Sequence, residues 1–251
     1  MVNGGKWVVR VTVAHSHRRH QIHSVMKVLI IDGSIYPDIY RPADHWIALI
    51  GDVPSESVHL PSGEPVPDLS EYTHLIVTGS EASINADDPW FEIEERIILD
   101  AFNRKMPILG SCFGHQMLAR AISGRECVGQ SPAPELGWIP IEVIEEDELF
   151  EGLKNPFHAF VSHFDEVRDP PAPWKVLARS EQCPVHAMRH GDRPVWGIQS
   201  HPEINPGDGR ALLEGFIDKA PESADLIRPA LGQTPRDDGI ASEIVQRFLN
   251  T

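Results

Sequence analysis

Residues 106–120 read Met-Pro-Ile-Leu-Gly-Ser-Cys-Phe-Gly-His-Gln-Met-Leu-Ala-Arg. The pattern predicts a short apolar strand, a tight turn between Gly110 and Gly114, and then an amphipathic helix. Cys112 stands in the middle of the turn, in the Gly-x-nucleophile-x-Gly pattern of a nucleophile elbow with cysteine in place of serine. Such a turn exposes the sulfur at a helix N-terminus, where unpaired backbone N–H groups and the helix dipole favour a thiolate. We therefore predict that Cys112 is a nucleophile.

A second segment supplies a base and an acid. Residues 194–204 read Pro-Val-Trp-Gly-Ile-Gln-Ser-His-Pro-Glu-Ile, a predicted buried strand followed by His201 and Glu203. Pro202 favours an extended backbone at His201, and in an extended chain residues two apart point to the same side. The imidazole and the carboxylate can therefore touch. Together with Cys112 they fit the arrangement of a nucleophile, its base and an acid that orients the base.

Two further motifs accompany the elbow and the His-x-Glu segment. They are Leu-Ile-Val-Thr-Gly-Ser at 75–80 and Val-Ser-His-Phe-Asp-Glu-Val at 161–167. The four motifs, in this order, resemble those of the class I (triad-type) glutamine amidotransferase family. Within it, the chain resembles the free-standing branch that is similar to the glutaminase domain of GMP synthase. The resemblance extends over about residues 26–217.

The resemblance implies a chemical role for the triad. Cys112 would attack the side-chain amide carbon of glutamine or of a γ-glutamyl compound, and the resulting γ-glutamyl thioester would be hydrolysed by water. His201 would take the thiol proton and give it to the departing ammonia or amine, while Glu203 orients the imidazole. The backbone N–H of Phe113, which follows the nucleophile, and that of Gly79 are the candidate donors of an oxyanion hole.

The resemblance also implies where the rest of the substrate binds. Gln116 would hydrogen-bond the α-carboxylate end, and the backbone around Ser162, His163 and Phe164 would hold the α-amino and α-carboxyl groups. The His163 side chain could equally be structural, held by a backbone carbonyl. In the family the oxyanion loop is commonly Gly-Gly-Pro, whereas this chain has Gly-Ser-Glu at 79–81. We interpret that difference as a marker of the free-standing branch.

Other polar and sulfur-containing residues have simpler interpretations. Cys127 and Cys183 lack the flanking glycines of the elbow, so we expect them to be small buried hydrophobic residues. Asp165 and Glu166 are expected to lie in a solvated loop. No metal site and no cofactor are expected.

Apolar runs and helical periodicity predict an α/β fold. The predicted buried strands are 28–31, 75–78, 108–110 and 195–199. The predicted helices are 43–50, 90–103, 207–217 and 242–249. Closely spaced strands predict an antiparallel subsheet, at 138–144, 159–162, 176–178 and 185–188. We therefore expect an open, mostly parallel sheet flanked by helices, with a small antiparallel subsheet, as in the flavodoxin-like fold of this family.

The segments between these elements are expected to be loops. Residues 54–67 and 168–173 are rich in proline and glycine and predict loops within the domain. Substrate choice is expected to depend on loops at 34–45, 80–92 and 128–137.

Composition limits the partners. With 22 Lys and Arg against 37 Asp and Glu, the formal net charge is −15, which disfavours nucleic acid and anionic membrane surfaces. Three cysteines are too few for a disulfide framework, and a free thiolate indicates a reducing cytoplasm. We expect a small-molecule substrate, glutamine or a γ-glutamyl compound.

Three functions remain open. The first is a free-standing hydrolase of glutamine or a γ-glutamyl compound, and the second is a glutaminase subunit that delivers ammonia to a separate synthetase. The third is a catalytically silent binding or regulatory module, which the complete set of Cys112, His201 and Glu203 disfavours. An ATP-driven ligase within this chain is not expected, because it has no phosphate-binding Gly-x-x-x-x-Gly-Lys loop.

The domain is expected to be a single glutamine amidotransferase domain over residues 26–251, preceded by a disordered extension over residues 1–25. The extension is basic and rich in histidine, unlike the acidic remainder. Its four histidines could be read as metal ligands, but we favour an extension without a packed structure.

Deleting residues 1–24 is therefore expected to leave the hydrolysis of the amide substrate unchanged. The measurement is the kcat and KM of the full chain and the truncated chain. Loss of hydrolysis on deletion would contradict this interpretation.

Overall fold

A nine-stranded mixed sheet forms the centre of the computed structural model, which describes Met1 and residues 26–251. The strands are β1 (Val28–Asp32), β2 (Ser55–His59), β3 (His74–Val77), β4 (Ile108–Ser111), β5 (Val128–Val143), β6 (Phe157–Val167), β7 (Trp174–Arg179), β8 (Ala187–His190) and β9 (Val195–Ile198). The helices are α1 (Pro42–Ile50), α2 (Pro89–Asn103), α3 (Phe113–Ser123), α4 (Pro206–Lys219), α5 (Ala224–Leu231) and α6 (Ile240–Leu249). The strand order in the sheet is β2-β1-β3-β4-β9-β8-β7-β5-β6.

Strands β2, β1, β3, β4 and β9 pair in parallel and form the half of the sheet that is covered on both faces. In β1, Leu29 and Ile31 belong to the core that includes α2 and α3, whereas Val28 and Ile30 belong to the core that includes α1 and α6. Burial of alternate side chains on opposite faces explains the continuous apolar run of this strand. The predicted α/β fold is confirmed.

Strands β9, β8, β7, β5 and β6 pair antiparallel and continue the same sheet, which confirms the predicted antiparallel subsheet. β5 begins at Val128, so residues 128–137 are part of a strand and not the loop that the sequence predicted. Pro132 and Pro134 concealed it, and the structure shows why they are tolerated. The pairing register with β6 shifts between Gln130 and Glu135, where ladder hydrogen bonds are interrupted.

Two further elements escaped the sequence analysis. β2 lies within the predicted loop at 54–67; it is the outermost parallel strand, and Val58 is its one buried residue, so it shows no apolar pattern. Helix α5 was not predicted either, and it packs with α4 over a third core that includes Tyr40 and Phe160. Residues 2–25 lie outside the described residues, so the predicted extension and domain boundary stay predictions. Within the described part of the chain, no helix has the length and apolarity needed to cross a bilayer.

Glu94 on α2 is a buried carboxyl group in the core next to the parallel strands. It is 1% exposed, and neither carboxyl oxygen has a hydrogen-bond partner among the described residues. Burial, with a smaller contribution from the charges of Asp32 and Glu95, raises the pKa of Glu94 to about 8. The folded protein therefore keeps this group protonated at a pH where the unfolded chain releases the proton.

A raised folded-state pKa means that the stability contributed by neutral Glu94 is complete below its ordinary pKa of 4.5 and is lost as the pH rises to about 8. The loss is at most about 1.4 kcal/mol per pH unit. We expect Glu94→Gln to gain stability relative to the parent protein between pH values of about 5 and 8. Urea unfolding across this range measures the difference, and Glu92→Gln, at an exposed position of the same helix, is the control. A difference that does not change with pH would contradict the assignment.

Candidate active site

Cys112 lies in the strained turn between β4 and α3. Its φ of 49° and ψ of −106° are unusual for a residue with a side chain, and such strain persists only where the surroundings enforce it. The Cys112 amide donates to the Ile198 carbonyl of β9 at 2.8 Å, and the Gly114 amide donates to the Thr78 carbonyl at 3.0 Å. Gly114 packs so closely on the backbone of β3 that a Cβ there would overlap the Val77 carbonyl. The predicted elbow is therefore present.

His201 and Glu203 follow β9 and face the same side, as the sequence predicted. The His201 amide donates to the Phe160 carbonyl at 2.8 Å, and Nδ1 of its ring lies 2.9 Å from Oε1 of Glu203. The ring also hydrogen-bonds the Cys112 side chain. Gly79 lies beside both groups, because a Cβ there would come within 2.6 Å of His201 Cε1 and 3.5 Å of Cys112 Cβ. The structure thus brings the three predicted triad residues together around one glycine.

The ionisation of the imidazole and its acid is coupled. Burial alone would lower the pKa of His201, but the charges of Cys112 and Glu203 outweigh burial and hold that pKa well above its usual value. Burial alone would raise the pKa of Glu203, but the charge and hydrogen bond of His201, with a hydrogen bond from Tyr40, keep it below its usual value. Each group therefore favours the charged form of the other, which suits an imidazole that gains a proton during a reaction.

Tyr40 is a fourth member of this group that the sequence analysis missed. Its hydroxyl donates to Oε1 of Glu203 at 2.5 Å and lies 3.4 Å from Nδ1 of His201. Burial and the adjacent Glu203 charge raise the pKa of Tyr40 well above its usual value, so the hydroxyl stays a donor. Ser111 lies on the other side of the carboxylate, with Oγ 3.5 Å from Oε2 of Glu203.

The two predicted oxyanion-hole amides begin or follow elements that meet at the elbow. Gly79 follows the strand β3, and Phe113 is the first residue of α3. In the part of the chain that the structure describes, neither amide donates to a protein acceptor. Both are therefore free to donate to a ligand in the pocket.

Gln116, Ser162 and Phe164 line the same pocket as Cys112 and His201. The Gln116 side-chain nitrogen donates to the Asp165 carbonyl at 2.8 Å, which fixes the amide group in one orientation. The Ser162 carbonyl lies 3.8 Å from the sulfur of Cys112. The predicted substrate-binding segment of β6 therefore lies beside the nucleophile.

The His163 side chain points into the interior. Its Nδ1 lies 3.0 Å from the Asp165 carbonyl and its Nε2 lies 3.1 Å from Oε2 of Glu135. Burial alone would raise the pKa of Glu135, but hydrogen bonds from His163, His186 and Ser180 lower it to about 2. Glu135, His163 and His186 hold ligand-type atoms within 4.8 Å of one another, yet the hydrogen bonds already satisfy the carboxylate. We assign the His163 side chain the structural role that the sequence left open.

Asp165 and Glu166 are buried in β6, so their expected place in a solvated loop was wrong. Asp165 accepts hydrogen bonds from Ser83 Oγ at 2.7 Å, from the Ile84 amide at 3.0 Å and from Asn85 Nδ2 at 2.9 Å. It thereby holds the loop after β3 against β6. A sequence of two acidic residues gives no sign of such distant partners.

Comparison with known proteins agrees with this geometry. Residues 53–220 match the model of the family described as glutamine amidotransferase class-I.

The chain belongs to the class I glutamine amidotransferase family.

Its sequence relatives are glutamine-hydrolyzing GMP synthase subunits. The chain is 37% identical over 164 residues to such a subunit from Pyrococcus abyssi, covering 64% of this chain and 84% of the relative. It is 30% identical over 215 residues to the protein of the same name from Methanocaldococcus jannaschii, covering 85% and 92%. A crystal structure of a glutamine amidotransferase from Thermotoga maritima has a TM-score of 0.77 at 21% identity, covering 91% of this chain and 100% of that one. The last comparison shows the fold alone.

The amidotransferase segment contains the elbow, the β6 segment and the His-x-Glu segment, but it ends at residue 220, before α5. Tyr40 lies before its first residue. The structure therefore adds residues from outside the matched segment to the site.

Replacing Tyr40 by Phe is expected to lower kcat/KM for the amide substrate by about tenfold, because a hydrogen bond to a charged group contributes roughly 1.5–3 kcal/mol and part of it is recovered by water. Steady-state kinetics measure the loss. The control is Tyr72→Phe, since the Tyr72 hydroxyl also donates to a glutamate, Glu56, at 2.5 Å but lies away from the pocket. Equal effects of the two substitutions would show that Tyr40 has no specific part in the reaction.

Proposed function

We propose that this chain is a cysteine-dependent amidotransferase-type hydrolase that cleaves the side-chain amide of glutamine or of a γ-glutamyl compound. The observation that carries the proposal is the contact between Cys112 on its elbow and the buried His201–Glu203 pair, at the base of a cavity of about 680 Å³. Membership of the class I glutamine amidotransferase family supports it. The complete triad disfavours a silent binding module.

The reaction follows from the geometry. The Cys112 sulfur attacks the amide carbon, and His201 holds the thiol proton and then transfers it to the departing nitrogen. Glu203 and Tyr40 keep the imidazole in one orientation and stabilise its charged form. The free amides of Gly79 and Phe113 would stabilise the negative oxygen of the tetrahedral intermediate. Water then cleaves the thioester, with His201 as the base.

The glutamyl half of the substrate would lie along β6. The exposed backbone around Ser162 and Phe164 would hold the α-amino and α-carboxyl groups, with Gln116 at the same end of the pocket. The His163 backbone belongs to this segment, while its side chain anchors the strand through Glu135.

A second function concerns the fate of the product. The relatives are named as one subunit of a glutamine-hydrolyzing GMP synthase, and that name favours a glutaminase that delivers ammonia to a separate synthetase subunit. The three cysteines are free thiols, which fits a reducing compartment, and we place the protein in the cytoplasm.

Cys112→Ala is expected to lower ammonia release from glutamine by at least about three orders of magnitude, because the nucleophile acts as a unit with its base. His201→Ala should have a comparable effect, and Glu203→Gln a smaller one, since the acid only orients and stabilises the base. Released ammonia and glutamate are measured with the purified chain. The matched control is Cys127→Ala at a buried thiol outside the pocket.

Retention of activity in Cys112→Ala would contradict the proposal. Activity that rises when a synthetase is added, together with co-purification of that synthetase, would support ammonia delivery. Equal activity with and without the synthetase would count against it.

A further inference from the structure

The loop after β3 connects two opposite walls of the pocket. At one end, Oε2 of Glu81 accepts a hydrogen bond from the Ile35 amide at 2.8 Å, in the loop between β1 and α1. At the other end, Ser83 and Asn85 donate to Asp165 on β6. Glu81 and Asp165 therefore lie on different sides of Cys112.

The two walls face different parts of a bound amide. Tyr40 belongs to the same β1–α1 loop as Ile35 and touches His201, so Glu81 lies on the side of the imidazole. Because His201 gives its proton to the departing nitrogen, the leaving amine must lie on this side. Gln116 is bonded to Asp165 on the opposite side, where the glutamyl group is proposed to bind.

The pocket is larger than glutamine requires. A volume of about 680 Å³ lies in the range of pockets that enclose drug-sized ligands, while the leaving group of glutamine is only ammonia. Leu212 and Phe216 of α4 and Ile227 of α5 contribute an apolar wall. Since α5 lies beyond the matched family segment, this part of the wall is an addition to the family domain. Hydrocarbon bound against it would be removed from water, which favours binding.

One charged group in this part of the pocket lacks a partner. Oε1 of Glu81 is inaccessible to solvent and has no hydrogen-bond partner among residues 26–251. Burial raises the pKa of Glu81, although hydrogen bonds from backbone amides oppose this. The nearest lysine in the lining, Lys219, is bound to Asp38 at 2.9 Å. A buried carboxylate oxygen without a donor is costly, and a ligand ammonium would supply one.

We propose that the pocket binds γ-glutamyl amides of a cationic alkylamine, with the hydrocarbon on the apolar wall of Leu212, Phe216 and Ile227 and the ammonium group on Glu81. This inference rests on the proposed hydrolase function. The Cys112 sulfur forms the bond to the γ-carbon, the C–N bond breaks, and the amine leaves with the proton from His201. Water then releases glutamate and restores the thiol.

The test compares four substrates of the full chain by the rate of glutamate release. They are glutamine, γ-glutamyl pentylamide, the mono-γ-glutamyl amide of 1,4-diaminobutane, and γ-glutamyl-4-aminobutyrate. The pentylamide has the length of the diamine derivative without the charge, and the aminobutyrate carries the opposite charge. The kcat/KM of the diamine derivative is expected to exceed that of the pentylamide by at least about tenfold, because hydrogen bonds to charged groups are the stronger ones.

Glu81→Gln is expected to reduce this ratio to about one, because the amide group keeps the acceptor for the Ile35 amide but loses the charge. The matched control is Glu64→Gln. Glu64 also accepts a backbone hydrogen bond, from the His59 amide at 2.8 Å, but it is exposed and does not line the pocket. In this variant the ratio should stay as in the parent. Phe216→Ala should lower kcat/KM for both alkylamides and leave their ratio unchanged.

The outcomes separate the two proposals. Turnover of glutamine with no preference for the diamine derivative, or with preference for the aminobutyrate, overturns the inference and leaves the hydrolase function standing. A preference that survives Glu81→Gln also overturns it. Failure of all four substrates contradicts the hydrolase function together with the inference.

Discussion

The positive φ of Cys112 is the constraint on which the rest of the active site depends. It is enforced by hydrogen bonds to both neighbouring parts of the sheet, from the Cys112 amide to Ile198 and from the Gly114 amide to Thr78. Because β3, β4 and β9 are adjacent and parallel, their C-terminal ends lie side by side. Gly79, Cys112 and His201 follow these three strands directly. Sheet order therefore assembles the site, and sheet hydrogen bonds maintain the strained turn.

Burial makes the polar interactions within the site interdependent. His201 and Glu203 are nearly inaccessible to solvent, so each would lose its charge without the other. Tyr40 supplies a further donor to the carboxylate, which leaves Glu203 well satisfied and the imidazole fixed at one nitrogen. A buried group of this kind is stable only when every member has its partner. Removing one donor should therefore disturb the reaction more than the fold.

The sequence could predict those parts of the fold and site that depend on local pattern. The elbow glycines, the His-x-Glu spacing and the apolar strands are each encoded within a few residues, and the structure contains them. Tyr40 and Asp165 could not be predicted, because their partners are 163 and about 80 residues away. β2 was missed because an exposed edge strand needs no apolar pattern, and the start of β5 was concealed by prolines at a register shift. The roles of the site residues stay predictions.

The loop at 79–81 shows how such a site can keep one chemistry and change its substrate. Gly79 must lack a side chain, because His201 and Cys112 fill the space beside it. Ser80 takes over the anchoring of the loop, since its hydroxyl donates to the Gly33 carbonyl at 2.6 Å and accepts from the Ala82 amide at 3.0 Å. This bracing explains how the loop is held without the second glycine and the proline of the common family pattern. Glu81 is then free to differ, because it is attached to the wall and not to the reacting atoms. Reactivity and selectivity can therefore be set by successive residues of one turn.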